Sequence, residues 1–127
     1  MNYLQKARAS EAKIDIKTRP LIDGDAALLP FQRFVFVEPG LFPNANLYQA
    51  VHKTTRTKDF GEYQVMHSHD VDETYLFIGN SDGLTGLKAE MVIDGAKQVF
   101  ESPAAAFVPK GIKHKYCFLE GSGFMVV

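Results

Sequence analysis

The segment Gly61-Glu-Tyr-Gln-Val-Met-His67-Ser-His69-Asp-Val-Asp-Glu73 gathers two imidazoles and a carboxylate in a short run of chain. Side chains alternate faces along an extended strand, so His67 and His69 project from one face with their Cα atoms about 7 Å apart. Imidazole nitrogens hold first-row divalent metals at about 2.0–2.1 Å, and two rings converging from that separation can share one ion. Glu73, beyond the loop at Asp70–Asp72, is placed to add a carboxylate oxygen. A third imidazole has to come from elsewhere, and His114 is the candidate. It follows Pro109-Lys-Gly111-Ile-Lys, a turn sequence able to return a strand across the same face.

The chain has four histidines, so a His-x-His pair arises by chance roughly 0.1 times per shuffled chain and is weak alone. Demanding a glycine six residues before it and a glutamate four after lowers the expectation to roughly 5 in 10,000. The competing reading is two surface histidines and a core histidine that meet no ion. The Pro-x-Gly-x-x-His sequence downstream counts against it.

At these residues the sequence resembles the cupin superfamily. The first cupin motif runs Gly, five residues, His-x-His, three or four residues, Glu, about six residues, Gly. Here it is carried by Gly61, His67, His69, Glu73 and Gly79, with five residues before the last glycine. The second motif runs Gly, five residues, Pro-x-Gly-x-x-His, three residues, Asn. Pro109, Gly111 and His114 match it, while Pro103 replaces the leading Gly and Phe118 the Asn. The resemblance covers residues 55 to 127, and nothing before residue 45 matches the motifs. It implies an all-β, single-domain double-stranded β-helix, a conical cupin or jelly-roll barrel, with a divalent metal held by His67, His69, Glu73 and His114. The departures fall at a turn and a strand position, not at the ligands.

Three neutral imidazoles and one carboxylate leave a divalent ion with a local charge of about +1. An octahedral ion with four protein ligands has two positions for water, O₂ or a chelating substrate. Such a site suits Lewis-acid chemistry at a carbonyl or enolate, and redox chemistry with iron or manganese. Mixed nitrogen and oxygen ligands do not choose among Mn, Fe, Co, Ni, Cu and Zn. The function that follows is a metal-dependent enzyme acting on a small organic substrate, carboxylate or carbonyl in type, by dioxygenase, isomerase, decarboxylase or lyase chemistry. The alternatives are a module that binds or senses a small ligand without turnover, and a vestigial site.

Strand alternation nominates the lining. Tyr63 and Val65 share a face with His67, Tyr75 and Phe77 with Glu73, and Tyr116 and Phe118 with His114. Tyr63, Tyr75, Phe77, Tyr116 and Phe118 thus stand as substrate-binding candidates in an aromatic cavity whose phenolic hydroxyls are its few polar handles. The competing reading makes each of them ordinary barrel core. His52 shares a face with Tyr48 and Ala50 and reads as a solvated or core-edge histidine, since nothing in the sequence sets a proton donor beside it. Lys110, Lys113 and Lys115 flank the second motif and could steer an anion, although alternation turns Lys113 and Lys115 away from the face of His114.

The elements that must position these groups are short strands between turn residues. Runs are expected at Phe34–Val37, Leu47–Lys53, Gly61–His69, Thr74–Ile78, Gly86–Ile93, Lys97–Phe100, Ala105–Val108, Lys113–Leu119 and Phe124–Val127, with Asp94-Gly95 as the strongest hairpin signal. Residues 1–30 are expected to form an extended arm after a short helical turn, ahead of a barrel over 31–127. The 127 residues are 46% hydrophobic and 23% charged with a net charge of -1, so no global charge recruits nucleic acid or an anionic membrane. A single cysteine, Cys117, excludes an internal disulfide and is expected to be buried and inert. The start of the chain carries no secretory pattern and no stretch is long enough to span a membrane, which points to the cytoplasm. Exposed strand edges and the arm make a homodimer the expected assembly, with a small molecule as the ligand.

Overall fold

Alternating apolar and polar residues form strands wherever glycine, proline or an acidic turn ends them. The computed structural model describes residues 4–10, 32–54 and 66–127. Its strands are β1 (Arg8–Ser10), β2 (Gln32–Val37), β3 (Gln49–Thr54), β4 (Glu73–Gly79), β5 (Leu87–Ile93), β6 (Ala96–Glu101), β7 (Ala104–Val108), β8 (His114–Gly121) and β9 (Gly123–Val126). All pairs are antiparallel. One sheet has the order β1-β2-β3-β9-β4-β7 and the other β6-β5-β8. This is the all-β, two-sheet architecture that the short-strand pattern predicts. The turn at Asp94-Gly95 joins β5 to β6 with positive φ at both residues (51° and 80°), as a tight hairpin requires.

Two local expectations need correction. Residues 4–7 form no helical turn, and Arg8–Ser10 instead pairs with Arg33–Val35 along the sheet edge. Sheet pairing wins there over the weak helical spacing of Leu4, Ala7 and Ala9. The expected strand Gly61–His69 falls partly outside the described residues. Over 66–69 only His67 makes a β-bridge, and His69 lies in irregular chain. The part of the arm at residues 11–30 also lies outside the described residues.

The core lies between the sheets. Tyr75 and Phe77 from β4 and Met125 from β9 meet Leu87, Ala89 and Met91 from β5 and Tyr116, Cys117 and Phe118 from β8. A register shift between Lys88 and Ala89 lets Phe118 oppose Ala89 while Glu120 opposes Lys88. Cys117 is a free, buried thiol within this cluster, as expected.

Candidate metal centre

Backbone pairing brings the two motifs together. The His67 N–H donates to the His114 carbonyl (3.1 Å), and the His114 N–H donates back to His67 (2.8 Å). That reciprocal pair sets the two residues directly opposite each other, with ring centroids 4.5 Å apart. His69 follows two residues later, its ring 4.9 Å from His67 and 5.5 Å from His114. The candidate ligand nitrogens of all three lie within 4.8 Å of one another.

Glu73 opens β4 and reaches into this group. Its Oε1 stands 3.3 Å from His114 Nε2 and 3.4 Å from His69 Nε2. Ligand atoms about 2.1 Å from one ion in neighbouring coordination positions stand roughly 3.0–3.4 Å apart. The spacing therefore fits a shared ion. Glu73 Oε1 is also buried without a hydrogen-bond partner, an arrangement that is costly unless something positive completes it. The three histidines fit a divalent metal, and Glu73 stands beside two of them.

The turn before His114 fixes its ring. Ile112 donates to the Pro109 carbonyl across Lys110 and Gly111 (3.1 Å), and Gly111 has φ 83°. Positive φ at the third position is the type II geometry that favours glycine. His114 Nδ1 donates to the Ile112 carbonyl at 2.9 Å, so in the neutral ring Nε2 keeps the lone pair that a metal needs. Tyr75, 3% exposed, places its hydroxyl 2.8 Å from that Nε2 and 3.3 Å from Glu73 Oε2.

Burial works to raise the Glu73 carboxyl, yet the contact with His114 and the charges of His69 and His114 outweigh it, and the carboxyl sits below its ordinary value. His114 moves the opposite way. Burial works to lower it, and the Glu73 contact with the Ile112 bond outweighs burial and raises it. Burial first, then the Glu73 charge, pushes the Tyr75 hydroxyl up. Tyr75 is therefore a neutral hydroxyl beside the cluster.

The aromatic candidates divide into layers. Tyr75 touches the cluster. Tyr116 lies behind it, 6.1 Å from the Tyr75 ring. Phe77 and Phe118 are deeper, Phe77 against Phe100 at 4.8 Å and Phe118 against Tyr116 at 5.5 Å. Tyr63 and Val65 lie outside the described residues. His52 is half-buried, as a core-edge histidine should be, but it has a partner that the sequence did not indicate: its Nδ1 is hydrogen-bonded to the Tyr116 hydroxyl across the barrel. Parity with buried Ala50 and Thr54 was the available signal, but the partner is 64 residues away and no spacing rule reaches it. Lys110 Nζ lies 3.2 Å from Asp70 in an exposed ion pair.

No family model matches the sequence, and no curated protein matches it by sequence. Solved structures match by fold. An RmlC-like cupin from Shewanella frigidimarina aligns over 93% of this chain and 88% of its own at 15% identity, with a TM-score of 0.51. The conserved SPY1581 protein of unknown function from Streptococcus pyogenes aligns over 98% and 94% at 19% identity, with a TM-score of 0.54. The iron(II) form of HppE aligns over 95% of this chain and 62% of that one at 14% identity, with a TM-score of 0.56. Identities this low speak for the fold alone. The chain has the cupin fold, a double-stranded β-helix built from two antiparallel sheets, with a histidine cluster able to hold a metal.

Proposed function

We propose that the protein is a metal-dependent cupin enzyme acting on a small organic molecule that chelates through a carboxylate or carbonyl. The carrying observation is the cluster of His67, His69 and His114, with Glu73 Oε1 3.3 Å from His114 Nε2 and 3.4 Å from His69 Nε2. One structure of the same fold, HppE, is named as an iron(II) form. When bound, the ion would supply Lewis-acid polarisation of the substrate and, if it is iron or manganese, redox chemistry of the dioxygenase kind. With ions that do not change oxidation state, isomerase, decarboxylase or lyase chemistry remains.

The protein's own groups do the rest. Tyr75 holds a proton at its hydroxyl beside Glu73 Oε2 and His114 Nε2, where it can be lent to a substrate oxygen. Tyr116, braced by His52, is the second hydroxyl along the wall. Phe77 and Phe118 form the dry floor, and Tyr63 completes the lining in this reading. The reading also takes the protein as a cytoplasmic homodimer. Its support is an outward apolar row, Phe34, Val51, Val126, Leu76 and Ala105, paired strand to strand across the larger sheet. A twofold partner could cover that row. Among the described residues, no helix is long and apolar enough to cross a membrane.

The test is metal content after purification, with the wild type and the His67→Ala, His69→Ala, Glu73→Ala and His114→Ala variants compared. Stoichiometric divalent metal in the wild type, reduced in each variant, is expected. A folded wild type that takes up no divalent ion rejects the reading. A loaded protein that stabilises a ligand without converting it would make this a binding module.

A further inference from the structure

We propose that Asp72 is a positioning residue for the metal centre: its carboxylate pins the irregular segment carrying His69 and Glu73 to the turn carrying His114. The inference rests on reading those histidines and Glu73 as ligands of one ion. Between His69 and Glu73 the chain makes no strand pairing, and Asp70, Val71 and Asp72 are all exposed. A segment of that kind is the least constrained part of a fold, yet it must hold one ligand at each of its ends.

The restraint comes from the turn Pro109–Ile112. Its two central N–H groups both go to the ligand segment rather than to water. Gly111 donates to the His69 carbonyl at 2.9 Å. Lys110 donates to Asp72 Oδ1, also at 2.9 Å. Type II geometry, allowed by φ 83° at Gly111, turns the Lys110–Gly111 peptide over and sets its N–H outward from the turn. His69 is therefore held from its own carbonyl, and Glu73 from the residue immediately before it.

The third tie, Lys110 Nζ to Asp70 at 3.2 Å, joins side chains 64% and 95% exposed. An ion pair so exposed contributes little, whereas a backbone N–H donating to a carboxylate is among the stronger hydrogen bonds. Asp72, not Asp70, is the pin. A partner bonded directly to a ligating side chain sets its aim, and losing one typically lowers metal affinity about 10–100-fold; Asp72 acts one step further back, through the backbone.

The experiment titrates the full-length, metal-free protein with Co(II) against a chromogenic chelator and records the visible Co(II) spectrum. Thermal midpoints of the metal-free proteins are measured alongside. Asp72→Ala is expected to weaken Co(II) binding about 3–10-fold, less than the loss of a partner bonded directly to a ligand, and to change the spectrum, with a metal-free midpoint near that of the wild type. Asp72→Asn, which keeps an acceptor oxygen, is expected to restore most of the affinity. Asp70→Ala and Lys110→Ala, which spare both N–H bonds, are expected to bind as the wild type does. Wild-type affinity and spectrum in Asp72→Ala overturn the inference alone. So does an affinity loss in Asp72→Ala that merely tracks a lowered metal-free midpoint, because the role is then structural. A wild type that binds no Co(II) overturns the metal reading, and this inference with it.

Discussion

β4 and β8 each run from an end built for chemistry to an end built for packing. β4 begins at Glu73 and finishes at Gly79, and β8 begins at His114 and finishes at Gly121. At the first end, side chains converge and a carboxylate oxygen is left without a hydrogen bond. At the second, backbones converge. A Cβ on Gly79 would stand 1.8 Å from the Thr85 carbonyl oxygen, and one on Gly121 would stand 2.0 Å from that of Gly86. Polar groups there are matched: Ser102 donates from its N–H to the Leu87 carbonyl (2.8 Å) while its Oγ accepts from the Leu87 N–H (3.1 Å). Unspent polar capacity marks the site, and the absence of spare space marks the anchor. The same two strands separate function from stability along their length.

That separation can be broken by substitution. The largest effect is expected at the chemical end, where His114→Ala should lower divalent-metal affinity by roughly a thousandfold or more, given that residues one layer out are worth 10–100-fold. Chelator competition measures it, and cooperative unfolding should persist. Next is Gly79→Ala at the packed end, expected to lower unfolding free energy by about 3 kcal/mol, because the atom it meets is backbone and cannot swing aside. Urea denaturation reads this loss, and the molecules still folded should bind metal unchanged. If either variant damages both properties equally, the two ends are not separable.

Gly111→Ala comes next, with a smaller effect that touches both ends. Nothing lies within 4 Å of its added Cβ, so the penalty is conformational alone, about 1–2 kcal/mol for an L-residue at positive φ. Because the Gly111 N–H holds His69, this variant should also alter the spectrum of the Co(II) protein, which sharpens the boundary between the ends.

The smallest effect is the pH dependence of the metal-free protein. Glu73 titrates below its ordinary value once folded, so its contribution is present above the unfolded value and is lost as pH falls through the lowered one. His114 titrates above its ordinary value, so its contribution is present below the unfolded value and is lost as pH rises through the raised one. Stability from the pair is therefore expected to peak between the two and fall on either side. Thermal midpoints over about pH 3 to pH 9 should show the peak in the wild type and a flatter profile in Glu73→Gln.

The sequence was most legible where one local rule acted alone. Period-two alternation placed β2 through β9 to within a few residues, and Asp94-Gly95 declared its hairpin because two adjacent residues set that geometry. The metal candidates were legible because ligand chemistry restricts residue type at short spacing, and their meeting with His114 follows from the cupin resemblance. What escaped depends on contacts distant in the chain. His52 finds Tyr116 only after β3 and β8 face each other, and Lys110 finds Asp72 only after two turns meet. The helical spacing near Leu4 misled because three residues at a sheet edge gain more from pairing than from propensity. Gly79 was visible as a motif residue, but its reason, a carbonyl from Thr85, was not.

One consequence follows from the reciprocal bonds between His67 and His114. Bringing two residues so far apart in the chain together carries an entropic cost that grows with the logarithm of the loop they close. In small zinc-dependent domains that cost falls on the ion, and removing the metal unfolds the chain. Here the closure is borne by a single backbone bridge and by an apolar core that includes β4 and β8. The ion would find its chelate already assembled, so metal could leave and return while the polypeptide keeps its shape. In the proposed reading such an ion would be exchangeable, and its identity in the working protein would be set by supply as much as by the ligands.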